Sequence, residues 1–133
     1  RLSGGSASRA IELAGRWSSY RQVLARLASG TPAAWIEEPS PETREEVTDL
    51  LDGMMAWLRD IAVAAVLDDP SRLAHAEHAE TLRRQARSVD VDRCVELAFK
   101  LVGMRESLEQ FVSPRLVASL ARESWLSLRE VKS

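Results

Sequence analysis

The segment Met54–Leu67 reads M-M-A-W-L-R-D-I-A-V-A-A-V-L, and only the adjacent Arg59 and Asp60 interrupt its apolar character. As a helix it is apolar around nearly its whole circumference, which predicts a rod packed on several sides by other elements. About 20 apolar residues are needed to cross a membrane, and this run is shorter and interrupted. A buried strand is the competing reading. The run exceeds ordinary strand length, is rich in alanine and methionine and holds no turn signal, so helix is favoured. The rest of the chain is therefore expected to supply helices that cover this spine.

The 133 residues suffice for one domain, with room for a fragment of a second. Eighteen basic and 20 acidic side chains leave a formal charge of −2, so no global field draws the chain to nucleic acid or an anionic membrane. The single cysteine, Cys94, excludes an internal disulfide and a thiolate metal cluster. A reducing, cytoplasmic compartment fits that cysteine usage. The first residues, Arg1-Leu2-Ser3-Gly4-Gly5, include neither an initiating Met nor a cationic and apolar leader pattern, so the chain reads as a C-terminal piece of a longer protein.

Helical punctuation recurs along the chain. Ser6 is a candidate N-cap. Ala10, Leu13, Trp17, Tyr20, Leu24 and Leu27 keep one register across Gly15, where two helices are favoured over one, and Ser29-Gly30 closes the segment. Pro32, Pro39 and Pro41 mark residues 31–41 as the linker of the chain. The long helix is expected to start at residues 40–43 and bury Val47, Leu50, Leu51, Met54, Trp57, Leu58, Ile61 and Ala65. Its first half is half wet and its second half enclosed, with Gly53 at a close crossing. Asp69-Pro70 stops it and starts a surface helix that runs to about Ser88 over a thin face of Leu73, Ala76, Leu82 and Ala86. Asp90 caps a helix over Val91–Val112, with a stripe of Val91, Cys94, Val95, Ala98, Leu101, Val102, Leu108 and Phe111 or Val112. Ser113-Pro114 opens the last helix, lined by Val117, Leu120, Ala121, Trp125 and Leu128. No run alternates with a period of two. The expected fold is an all-α bundle of about five to seven helices with no sheet.

Few residues suggest chemistry. His75 and His78 are spaced to share a helix face and two imidazoles can hold zinc, but no third ligand is evident and a solvated polar face is favoured. Cys94 lies on an apolar stripe and reads as a small core residue. Arg83, Arg84 and Arg87 have Glu77 and Glu80 nearby and no interleaved aromatics, which favours a surface ion-pair face over phosphate binding. Arg59 and Asp60 diverge by about 100° on a helix, so each is expected to find a partner elsewhere or to reach the domain edge, in a structural role. Leu2–Ser6 is glycine-rich but lacks the phosphate-loop pattern. Trp17, Trp35, Trp57 and Trp125 read as core or interface anchors.

Three stretches carry a resemblance. Arg1-Leu2-Ser3-Gly4-Gly5-Ser6-Ala7-Ser8-Arg9-Ala10-Ile11-Glu12-Leu13-Ala14 is similar to a Leu-Ser-x-Gly-Ser-Pro-Gly-x-Ala-Leu-like lid segment, with Ala7-Ser8 standing where Pro-Gly is usual. Trp57-Leu58-Arg59-Asp60 looks like a central collar helix, and Phe111-Val112-Ser113-Pro114-Arg115-Leu116 is similar to an Asn-Val-Asn-Pro-Arg-Leu-like entry to a last helix. Together, across almost the whole chain, they resemble the C-terminal region of bacterial replicative clamp-loader subunits of the DNA polymerase III δ′ kind. The resemblance implies that residues 1–30 end an AAA+ lid and residues 31–133 form a helical collar. It implies a non-catalytic scaffold that binds other loader subunits through the collar. The sliding clamp and primed DNA are then met only through the full complex, with no membrane contact, no sequence-specific nucleic-acid binding and no cofactor of its own. Arg9 falls at a nucleotide-sensing position of such lids, against a purely structural role in the first helical turn. The competing functions are the collar of an ATP-hydrolysing γ/τ-type loader subunit, a small-molecule-binding helical regulator with a pocket near Met54, Met55 and Trp57, and a metal enzyme using His75 and His78.

Overall fold

A computed structural model describes residues 20–29, 43–67 and 69–130. The described residues form five helices and two 3₁₀ turns, and there is no strand among them. The helices are α1 (residues 20–29), α2 (Arg44–Val66), α3 (Ala79–Ser88), α4 (Val91–Glu109) and α5 (Pro114–Glu130). The 3₁₀ turns, Pro70–Arg72 and Ala76–His78, lie between α2 and α3. The candidate lid residue Arg9, the glycine-rich Leu2–Ser6, the break at Gly15, Trp17, Trp35 and the boundary at residues 30/31 lie outside the described residues.

The spine is α2. Thr43 starts it with a reciprocal cap: the Thr43 hydroxyl accepts from Glu46 N–H, and the Glu46 carboxylate accepts from Thr43 N–H, each at 3.1 Å. Helices α3, α4 and α5 all pack on α2. Val47, Leu50, Leu51, Met54, Trp57, Leu58 and Ile61 are buried, as the register predicts. At Gly53 a Cβ would stand 2.8 Å from Val23 Cγ1 of α1, so the absence of a side chain lets these two helices approach. The far end of α2 departs from expectation. Ala65 is exposed, and so are Val66 and Leu67. The spine is thus enclosed through Ile61 and open over its last turn.

The connector explains a second departure. Residues 70–78 do not continue into α3 as one helix. Ala74 and His75 turn their backbone N–H groups to the Asp60 carboxylate, at 2.8 Å each, instead of to carbonyls four residues back. That diverts the chain from α-helix until Ala79.

Helix α4 starts at Asp90, whose carboxylate accepts from Asp92 N–H at 3.0 Å. It ends at Glu109, short of Val112. Phe111 has φ 68°, its N–H donates to Leu108 O and the Val112 N–H donates to Ser107 O, which is the pairing of a left-handed helix stop. Phe111 stands where glycine is usual, exposed, with the Arg44 guanidinium 5.6 Å from its ring centre. The buried face of α4 is Cys94, Leu97, Leu101 and Leu108, while Val95 and Val102 are exposed. The α4 stripe is therefore rotated from the predicted one. On α5, Val117, Ala118, Ala121, Trp125 and Leu128 are buried and Leu120 is exposed.

Candidate functional site

The polar centre of the molecule sits where the spine meets the connector. Asp60 is fully buried on α2. Its Oδ1 accepts from Ala74 N–H at 2.8 Å and from Arg59 Nη1 at 3.1 Å. Its Oδ2 accepts from His75 N–H at 2.8 Å and lies 2.9 Å from His75 Nδ1. A carboxylate offers only acceptors, so Nδ1 carries the proton. In the neutral ring Nε2 is then an acceptor, and the Tyr20 hydroxyl of α1 lies 3.3 Å from it. Asp60, His75 and Tyr20 thus form one hydrogen-bonded chain across α2, the connector and α1.

Aromatic rings enclose that chain. Trp57 lies 5.8 Å from the His75 ring centre, Tyr20 lies 6.2 Å from it, and His78 meets Trp57 edge-on at 5.4 Å. The Trp57 indole N–H donates to Gln85 Oε1 at 2.8 Å, and Gln85 Nε2 donates to Leu27 O at 2.9 Å. Gln85 is the buried polar residue of α3, so one amide joins three helices.

An acid–histidine–hydroxyl chain is the outline of a nucleophilic site. The surroundings argue against that use. Burial, with the carboxylates of Asp52, Asp60 and Asp49, raises the Tyr20 pKa, so its phenol is held protonated and poorly nucleophilic. His75 is buried, with both ring nitrogens engaged. What the arrangement does chemically is satisfy every strong donor and acceptor at a crowded junction, which is the work of a staple.

Several expectations change here. His75 does not lie on a solvated face, because Asp60 in the apolar spine draws it inward, and His78 is half-buried against Trp57. Both rings pack against Trp57, and among the described residues no group of three His, Cys, Asp or Glu side chains is placed to hold a metal. Arg59 does pair with Asp60: its long arm spans the angular gap between neighbours while staying exposed. Cys94 is a core residue, with burial and then Asp90 pushing its pKa up to about 11. In the arginine cluster Arg84 and Arg87 are exposed and Arg83 is half-buried. The residue that sequence reasoning missed is Gln85, hidden among the charges of α3. Its spacing of three from Leu82, the buried anchor of α3, is the signal that places it on the inward face.

Between α4 and α5 lies a cleft of about 150 Å³, lined by Leu97 and Leu128 and by six polar residues that include Arg93, Glu96, Lys100 and Glu123. Ligand pockets run to roughly 300 Å³ and above and are mostly apolar, so this cleft does not suit a small-molecule regulator. Met54, Met55 and Trp57 do not line it. No helix among the described residues is long and apolar enough to cross a membrane. Comparison of the chain with protein-family models, curated proteins and solved structures gives no match.

Proposed function

We propose that this chain is a non-catalytic assembly domain, the collar of a cytoplasmic bacterial clamp-loader subunit of the δ′ kind. In this reading it supports ATP-driven loading of the sliding clamp by holding sister subunits together, and it meets the clamp and primed DNA only through the complex. The observation that carries the reading is where apolar surface remains. Phe99 is 74% exposed on α4, and Val66 is 75% exposed at the open end of the spine. Contiguous exposed apolar surface marks protein–protein contacts, and Phe99 shares one outer face of α4 with Val95 and Val102, each 47% exposed. The all-helical architecture and the fully bonded Asp60 junction add support, since a scaffold has to transmit load without deforming.

The test is co-purification of the intact parent protein with the other loader subunits. The expected result is stoichiometric entry into the complex. A correctly folded parent that stays outside the complex refutes the assignment.

A further inference from the structure

Val95, Phe99 and Val102 stand at i, i+4 and i+7 on one outer face of α4, all exposed. They form a ridge about 10 Å long, two helical turns. Gly103 continues the i, i+4 row of Val95 and Phe99. It is exposed, and a Cβ added there would meet nothing within 4 Å. Nothing inside the fold therefore requires glycine at this helical position, where glycine costs stability relative to alanine. A bare backbone beside an exposed Phe is a notch into which a second helix can settle closely.

The charges around the ridge select the partner. Asp92 precedes Val95 and Glu106 follows Val102 on the same face, and both are exposed. The nearest cations face away: Arg105 is bound to Asp52 at 2.8 Å, and Arg93 and Lys100 line the cleft towards α5. The ridge is thus apolar with acidic ends. A second copy fits it poorly. Antiparallel pairing sets Asp92 against Glu106 of the other copy, and parallel pairing sets each carboxylate against itself. We infer that this ridge docks an amphipathic helix of a different protein chain, apolar along one stripe and flanked by Lys or Arg. The inference deepens the scaffold reading by naming the chemistry of the partner, and it does not depend on the loader identity.

The probe is a labelled helical peptide of about 14 residues with leucines at the same spacing and flanking lysines, beside a twin with glutamates at the lysine positions. Each is titrated by fluorescence anisotropy against the whole 133-residue chain. The lysine peptide is expected to bind at least ~tenfold more tightly than its twin, an advantage that shrinks with added salt. Phe99→Ser should weaken binding by ~tenfold or more without lowering the melting temperature, because that side chain is exposed. Gly103→Ala should raise the melting temperature yet weaken binding, a combination that no purely internal role of the glycine produces. Equal binding of the two peptides, no binding, or indifference to Phe99→Ser overturns the proposal. So does sedimentation showing a dimer that Phe99→Ser dissolves, which makes the occupant a second copy. If the parent protein carrying Phe99→Ser still enters a loader complex, this docking ridge fails while the scaffold reading stands. If the unsubstituted parent stays outside while the lysine peptide binds, the reverse holds.

Discussion

Replacing Asp60 with alanine is the sharpest test of the staple at the centre of the molecule. The substitution leaves the N–H groups of Ala74 and His75 and the His75 Nδ1–H without their acceptor. Removing one partner of a buried charged junction costs about 3–5 kcal/mol, because the remaining groups stay desolvated and unpaired. Ala74 N–H is only part-buried, so water can relieve that one donor. The two on His75 are buried, which keeps the sum within the same range. At ~2.1 cal/mol/K of unfolding entropy per residue, a chain of this size loses roughly 10–20 °C in melting temperature. Circular dichroism melts and urea titrations of the wild type and Asp60→Ala measure it. A double-mutant cycle with His75→Leu adds the decisive number. The two substitutions share partners, so their effects should fall short of additivity by at least about 1 kcal/mol. A loss below about 1 kcal/mol for Asp60→Ala, or strict additivity, refutes the account of the junction.

Two further outcomes follow from single side chains. Gly53→Ala brings a Cβ to within 2.8 Å of Val23 Cγ1, so the helix-propensity gain is outweighed and stability should fall by about 1–2 kcal/mol in urea titration. The Cys94 thiol, raised from 9.0 to about 11, should react about 100-fold more slowly with iodoacetamide at pH 8 than an unperturbed thiol. The folded state holds that proton more tightly than the unfolded chain, so the associated stability is full below pH 9 and is lost as pH rises through about 11. The raised Tyr20 pKa acts with the same sign. Chemical denaturation across pH 8–11 should show this decline.

The spine and its neighbours were readable because a wide apolar run, the Asp90 cap and the Ser113-Pro114 start are local signals. The rotation of α4 was not. Its apolar residues cover a broad arc, and Val95 and Leu97 suit the inside equally well by periodicity. The position of α2 chooses Leu97 and leaves Val95 outside. The connector failed for another reason. A proline start followed by alanines and charged residues satisfies every local rule for helix, and what overrides it is a carboxylate 14 and 15 residues earlier. Asp60 itself announced a need for partners, as any charge in an apolar rod does, but tertiary structure alone names His75 as the answer.

The Asp60 anchor also shortens the free length of the connector. The stretch between α2 and α3 is long enough to serve as a hinge, yet its middle is tied to the spine through two backbone amides and an imidazole. With residues 74 and 75 pinned to the spine, only the three residues 76–78 remain between the anchor and the first turn of α3.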